Sequence, residues 1–287
     1  MAARPEGTPV WTDAMFTDVE GAKTFYGDVL GWDFGEASSE FGNYTQAYKS
    51  GKAVAAVVPP MPGQDGEPQS AWCLYFASPD VAATAEKIRG AGGAVLMEPM
   101  QVGDFGSMCI AQDPAGVTFG VWQAGAHEGF ERQSEPGSYA WAEVFTREPA
   151  KSDTFFTEVF GFGSKKIKDE HMDYRVFDLG GERPVLGRMK MTAEDFPAEI
   201  PSYVQIYFAV DNCDLAVERA EALGGRKVFG PMDSPFGRFA AIVDPQGAAF
   251  AVIDEKTTVG DISPRPRPRP GTAGRNRPSR PSPRGRR

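Results

Sequence analysis

The stretch VWTDAMFTDVEGAKTFYGDVLGW at residues 10–32 returns in altered form as AWAEVFTREPAKSDTFFTEVFGF at residues 140–162. Trp11 corresponds to Trp141 at an offset of 130 residues. Each copy first alternates in residue type, which predicts a strand, and then places apolar residues at helical spacing. Gly31 stands where such a helix ends in a left-handed residue. The chain therefore contains two copies of a unit that begins with a strand and a helix.

The repeat continues beyond this opening segment. LYFASPDVAATAEKIRGAGG at 74–93 matches IYFAVDNCDLAVERAEALGG at 206–225, and DPAGVTFGV at 113–121 matches DPQGAAFAV at 244–252. The small drift in offset indicates short insertions in loops. We therefore divide the chain into a first domain at 8–123, a linker at 124–137, a second domain at 138–256 and a tail at 257–287.

Each copy also contains an internal repetition. A second strand, predicted at Trp72–Ala77, leads into a second helix at Asp80–Arg89, and further strands follow. Thr17 and Glu20 fit a capping box at the first helix. Pro149 falls in the first helical turn of the second copy, where its missing N–H costs nothing. The pattern predicts four β-α-β-β-β modules arranged in two pairs.

Charge is distributed unevenly along the 287 residues. The net charge is −9, but residues 263–287 contain nine arginines, seven prolines and no acidic residue. The rest of the chain has 39 acidic and 21 basic residues, a net charge of −18, which disfavours nucleic acid and anionic membranes. We expect a disordered tail that could bind an acidic partner. Three widely spaced cysteines and no apolar leader or spanning segment predict a cytoplasmic protein without disulfides.

These motifs resemble the vicinal oxygen chelate superfamily, which includes glyoxalase I, extradiol dioxygenases and bleomycin- and fosfomycin-resistance proteins. The carrying motifs are the strand running into AKTFYGDVLGW, the DPAG and DPQG turns, and the GAGG and ALGG helix ends. GTPVWTDAMFTD and WCLYFASPDV are similar to a two-domain actinobacterial subfamily of glyoxalases or hydroxylases. Some of its members accompany anthracycline biosynthesis enzymes. The resemblance implies an α+β fold of tandem glyoxalase-like domains, each with two paired modules forming a cupped mixed sheet.

The resemblance also implies positions for metal ligands, usually His or Glu, on the first strand, its counterpart in the second module and the last strand. In this chain those positions hold Trp11, Cys73 and Gly120 in the first copy and Trp141, Gln205 and Ala251 in the second. A divalent ion needs three or four converging donors. We therefore predict no metal and no other cofactor. The two histidines, His127 and His171, are interpreted as solvated surface residues.

Strand alternation predicts what the cups present instead. Asp13 and Glu143 fall on the cup faces, where desolvation would raise their pKa values and suit them as general bases. The predicted ligand-binding residues are Trp11, Met15, Cys73, Tyr75, Trp122, Trp141, Gln205 and Tyr207. We predict that the first cup is the richer. The alternative is that the aromatic residues belong to the core and that Asp13 only bonds backbone or an arginine.

The function expected from these features is metal-free binding of a small aromatic or hydrophobic molecule. Such a protein would act as an accessory or tailoring protein in secondary metabolism, in the biosynthesis or sequestration of aromatic polyketide (anthracycline) antibiotics. One alternative is a glyoxalase-type lyase or a hydroxylase acting on a small carbonyl or aromatic substrate. Another is an interaction module that works through the arginine-rich tail. The sequence leaves open the substrate, whether the protein is catalytic, and its oligomeric state.

Overall fold

Two copies of one α+β unit follow each other in the computed structural model, which describes residues 4–60, 70–167, 172–181 and 183–258. All but the first two residues of the predicted tail lie outside the described residues. The first copy comprises β1 (Pro9–Met15), α1 (Val19–Leu30), β2 (Asp33–Phe34), β3 (Thr45–Lys49), β4 (Lys52–Val58), β5 (Trp72–Ala77), α2 (Val81–Gly90), β6 (Ala94–Val102), β7 (Gly106–Gln112) and β8 (Thr118–Ala124). A 3₁₀ turn at Ser39–Phe41 precedes β3.

The second copy repeats this order. It comprises β9 (Tyr139–Thr146), α3 (Pro149–Phe160), β10 (Gly163–Ile167), β11 (Tyr174–Asp178), β12 (Pro184–Lys190), β13 (Tyr203–Ala209), α4 (Cys213–Ala222), β14 (Arg226–Ser234), β15 (Gly237–Val243) and β16 (Ala249–Asp254). The predicted fold of tandem domains with paired β-α-β-β-β modules is confirmed.

Each copy forms one mixed sheet of eight strands. The strand orders are β2-β3-β4-β1-β5-β8-β7-β6 and β10-β11-β12-β9-β13-β16-β15-β14. The first strand of each copy lies near the middle, parallel to the fourth strand and antiparallel to the fifth. The two modules of a copy therefore meet along β1–β5 or β9–β13, which brings their side chains together at the centre of the sheet.

Local signals explain the ends of the helices. Asp18 caps α1 by accepting the Gly21 N–H at 2.9 Å. The predicted capping box of Thr17 and Glu20 is wrong, because the N-cap lies one residue later and the Thr17 hydroxyl bonds Gln246 instead. Other helix signals are confirmed. Gly31 ends α1 with a φ of 67°, and Pro149 is the first residue of α3.

The two copies pack through the faces of the sheets that carry the helices. Helix α1 lies against α4, and α2 lies against α3. The aspartates of the DPxG turns join the copies, since Tyr26 donates to Asp244 at 2.8 Å and Ser152 donates to Asp113 at 2.6 Å. One apolar core, rich in phenylalanine, runs through both copies. None of the helices in the described residues is long and apolar enough to cross a membrane.

Candidate functional site

The predicted site residues lie at the strand centres of each sheet, on the face away from the helices. Along β5 the Trp72 indole donates to the Tyr26 hydroxyl on α1, so this side chain points toward the helices. Tyr75, on the opposite face, reaches Asp13. The predicted alternation is therefore the one observed. We call the Asp13 side of the first sheet the first cup and the equivalent Glu143 side of the second sheet the second cup.

In the first cup Asp13 is held by two tyrosine hydroxyls. Tyr44 donates to one carboxylate oxygen at 3.1 Å, and Tyr75 donates to the other at 3.3 Å. The Trp11 indole N–H donates to the Tyr44 hydroxyl at 2.7 Å, which extends the chain of hydrogen bonds. Burial raises the pKa of Asp13 to about 7, although both tyrosine bonds favour the ionised form. The carboxyl can therefore hold or release a proton near neutral pH.

The second cup repeats this arrangement with shorter bonds. Tyr174 and Tyr207 each donate to a different oxygen of Glu143 at 2.6 Å. Burial raises the pKa of Glu143 above its ordinary value and outweighs the bonds from the two tyrosines. Burial and the nearby carboxylate raise the pKa of Tyr207 in turn, which keeps its hydroxyl a donor.

Tyr44 and Tyr174, the second tyrosine of each cup, were not predicted from the sequence. They lie at the same offset of 130 residues that relates Asp13 to Glu143 and Trp11 to Trp141. Their flanking sequences, GNYTQ and MDYRV, share only the tyrosine. A search for identical aromatic residues at the repeat offset would have found the pair.

Two glycines make room for cup tyrosines, Gly120 for Tyr75 and Gly187 for Tyr174. A Cβ on Gly120 would lie 2.2 Å from the Tyr75 ring, and a Cβ on Gly187 would lie 2.3 Å from the Tyr174 hydroxyl. Gly120 is one of the positions that the family resemblance assigns to a metal ligand. In this chain the Tyr75 ring packs against that position.

The remaining predicted residues take up a range of positions. Cys73 faces Asp13 across the β1–β5 pair, and Gln205 faces Glu143 across β9–β13. Burial and the Asp13 carboxylate raise the pKa of the Cys73 thiol, which makes it a poor nucleophile. Met15 is half-buried at the end of β1.

The segment after β8 covers part of the first cup. His127 places its ring edge-on to Trp11 with centroids 4.4 Å apart, and Phe130 lies 5.6 Å from the same indole. The Trp122 indole N–H donates to the His127 carbonyl at 2.9 Å. His127 is therefore not the solvated residue that the sequence suggested: its Nε2 is buried without a partner, and burial lowers its pKa. His171 lies outside the described residues.

Several aromatic rings of the second cup are partly exposed. Trp141 is half-buried, whereas Trp11 is only 3% exposed. Phe145 stacks on Tyr203 with centroids 5.2 Å apart, and both side chains remain partly exposed. Phe239, also partly exposed, lies 6.1 Å from Tyr207. The covering segment, which strand alternation does not place, thus buries Trp11 in the first cup.

The cup residues do not fit a divalent metal ion. In the residues that the structure describes, no three His, Cys, Asp or Glu side chains come together as a metal site would require. Each cup offers one carboxyl whose two oxygens already accept tyrosine hydroxyls. A metal needs more donors than this, and it would have to displace both tyrosines.

Known proteins share both the sequence and the fold. The family model described as the Glyoxalase/Bleomycin resistance protein/Dioxygenase superfamily matches residues 9–121 and 138–252. CFP32 of Mycobacterium tuberculosis, described as a candidate glyoxylase, is 36% identical over 252 residues, which cover 86% of this chain and 95% of the relative. The anthracycline biosynthesis protein DnrV of Streptomyces peucetius is 34% identical over 260 residues, covering 86% of this chain and 93% of its own length.

Solved structures resemble the fold at lower identity. The Mn(II)-bound glyoxalase of Novosphingobium aromaticivorans superposes with a TM-score of 0.60 at 18% identity, covering 89% of this chain and 87% of that protein. The 2,3-dioxygenase LapB of Pseudomonas sp. KL28 gives a TM-score of 0.61 at 12% identity, covering 88% and 93%. At these identities the likeness concerns the fold alone. With the family match in both halves and the two curated relatives, the chain belongs to the glyoxalase/bleomycin resistance protein/dioxygenase superfamily.

Proposed function

We propose that this protein binds a small planar aromatic molecule in a cup, without a metal ion, as an accessory or tailoring protein of secondary metabolism. One observation carries the proposal: both copies place a carboxyl between two tyrosine hydroxyls and beside a tryptophan. Aromatic walls bury the faces of a planar ligand, and a few fixed polar groups orient it. The carboxyl and the hydroxyls are suited to the oxygen substituents of such a ligand.

The relatives favour a particular chemical class. DnrV and DauV, the latter from Streptomyces sp. strain C5 and 33% identical over 260 residues, are both named as anthracycline biosynthesis proteins. Anthracyclines are planar polycyclic aromatic compounds that carry hydroxyl and carbonyl oxygens. We therefore place the ligand among aromatic polyketides of this shape, bound either during their biosynthesis or for sequestration.

Equilibrium dialysis against hydroxyanthraquinones tests the proposal. The full-length protein, treated with EDTA, should bind at least one such compound saturably, and a nonaromatic polyol of similar size should not bind. Spectroscopic changes in the ligand provide a second readout that is independent of the five tryptophans. If none of the compounds binds saturably, the cups are not ligand sites for this class.

A second candidate function is catalysis by a cup carboxyl on a small carbonyl or aromatic substrate, as a lyase or a hydroxylase. The pKa of about 7 at Asp13 favours it, because a general base works best when its pKa lies near the working pH. Asp13→Asn and Glu143→Gln separate this role from binding. Loss of turnover with ligand affinity retained would identify an enzyme, whereas wild-type protein that returns every ligand unchanged would support a carrier.

A further inference from the structure

The equivalent tryptophans of the two cups differ in their exposure to solvent. Trp11 and Trp141 occupy corresponding places on β1 and β9, but Trp11 is 3% exposed and Trp141 is half-buried. The segment after β8 accounts for much of the burial of Trp11, because its His127 and Phe130 rings contact the indole. A ligand ring would need that surface in order to stack on Trp11.

Backbone hydrogen bonds fix this covering segment in place. The Phe130 N–H donates to the Val10 carbonyl at 2.7 Å, and the Glu131 N–H donates to the Ala53 carbonyl at 3.0 Å. The Glu131 carboxylate accepts the Ala53 N–H at 2.8 Å in return. The covering segment is thus bonded to the starts of both β1 and β4. The side chains of the covering segment therefore occupy the place where a ligand ring would stack on Trp11. Uncovering Trp11 would break these hydrogen bonds.

The second cup has aromatic rings where the first has methionines. Phe145 corresponds to Met15 at the ends of β9 and β1, and Phe239 corresponds to Met108 on β15 and β7. Phe239 also lies 5.9 Å from Phe229, which is 50% exposed. Methionine is flexible, whereas aromatic rings offer fixed flat walls. These substitutions suit the second cup to a flat ligand.

The lining of the second cup is also separate from the main core. Tyr207, Ala251 and Ile253 form an apolar cluster of their own, against which Trp141 and Phe239 pack. In the first cup the equivalent Tyr75 and Trp122 belong to the main core. The cluster itself is buried, but the Trp141 and Phe239 rings that pack against it remain partly exposed and offer a surface for binding.

We propose that the second cup is the ligand site and that it takes an uncharged planar ring system carrying a hydroxyl next to a carbonyl, while the first cup is filled by its covering segment. This inference rests on the proposed function. Tyr174 and Tyr207 each donate their one hydroxyl proton to Glu143. A ligand hydroxyl can replace one of them as the donor to the carboxylate, and the released tyrosine can then donate to the neighbouring ligand carbonyl. An anionic ligand would be repelled by Glu143 when that carboxylate is ionised, and by the net charge of −18 outside the tail.

Dialysis with 1,4-dihydroxyanthraquinone as the probe tests the location. Trp141→Ala should weaken binding about ten- to hundredfold, the loss expected for one aromatic wall. Phe239→Met, which installs the residue of the first cup with little change in volume, should weaken it several-fold. Met108→Ala is the matched control in the first cup and should leave the dissociation constant unchanged. Circular dichroism and thermal melts verify that each variant is folded.

The ring chemistry is tested with two further probes on wild-type protein. 9,10-Anthraquinone lacks the hydroxyls and should bind about tenfold more weakly, as expected for the loss of one hydrogen bond. Anthraquinone-2-sulfonate should bind more weakly still. Equal affinity for all three probes would refute the proposed hydroxyl and carbonyl recognition.

The outcomes separate the inference from the proposed function. If 1,4-dihydroxyanthraquinone binds and Trp11→Ala or Met108→Ala weakens it while folded Trp141→Ala and Phe239→Met bind like wild type, the site is the first cup. The inference then fails and the proposed function stands. If wild-type protein binds no hydroxyanthraquinone, both fail. If only Trp141→Ala and Phe239→Met weaken binding, the inference is supported.

Discussion

Tyr44 and Tyr174 lie 130 residues apart and make the same contact, each donating its hydroxyl to the carboxyl of its own cup. The partner of Tyr44 is Asp13, and the partner of Tyr174 is the longer Glu143. The glutamate bond is the shorter, at 2.6 Å against 3.1 Å. The repeat has therefore kept the donor in both copies and changed the length of the acceptor, which makes the two cups chemically similar but geometrically distinct.

The first prediction concerns the pH dependence of folding. Burial raises the pKa of Asp13 from 3.8 to about 7, so between these values the folded protein holds a proton that the unfolded chain has lost. The contribution of Asp13 to stability is then greatest at low pH and falls as the pH rises, by up to about 1.4 kcal/mol per pH unit. Asp13→Asn removes this dependence. The unfolding free energy of Asp13→Asn, relative to that of wild type, should therefore increase as the pH rises from about 4 to about 7.

Urea denaturation at several pH values measures this difference. Glu40→Gln, which removes an exposed carboxylate, controls for the change in net charge. If wild type and Asp13→Asn keep a constant difference in unfolding free energy across the range, Asp13 is not protonated in the folded protein and the argument for a neutral carboxyl is wrong.

The second prediction concerns the space beside Tyr174. A Cβ on Gly187 would lie 2.3 Å from the Tyr174 hydroxyl and 2.8 Å from the Glu143 Cγ, so Gly187→Ala must move one of these groups. We expect a loss of about 1–3 kcal/mol in unfolding free energy, as for other overpacked sites. Gly181→Ala is the control, because nothing lies within 4 Å of its added Cβ. Equal stability of the two variants in thermal and urea denaturation would contradict the observed contact.

Sequence reasoning succeeded where the repeat or strand alternation carried the signal. Both place Asp13 and Tyr75 on one face, and the structure joins them by a hydrogen bond. The sequence did not predict that the covering segment packs on Trp11, because His127 and Phe130 belong to a polar stretch without periodicity. Their packing depends on a chain path that returns to the first cup after β8, and no local pattern encodes that path.

The third prediction concerns the junction between the copies. The Ser152 hydroxyl on α3 donates to Asp113 in the DPAG turn at 2.6 Å, and both groups are buried. Ser152→Ala leaves one carboxylate oxygen without that donor and should cost about 1–3 kcal/mol of unfolding free energy. The exposed Ser39→Ala is a control for the same substitution. A melting temperature of Ser152→Ala equal to that of wild type would show that this bond does not help hold the copies together.

The last prediction concerns metal ions, and mass action sets its scale. An ion present at about a thousand times its dissociation constant stabilises the folded state by about 4 kcal/mol. For a domain of 150 to 250 residues that would raise the melting temperature by roughly 8–16 °C. The cups offer one carboxyl each, already bonded to two tyrosines, so we expect manganese, zinc or nickel at about 1 mM to shift the melting temperature by less than about 1 °C. Chelation with EDTA should likewise leave it unchanged. One of these ions could instead raise the melting temperature by several degrees in wild type but not in Asp13→Asn or Glu143→Gln. That result would show that the ion displaces the tyrosines and that the cup carboxyls are metal ligands.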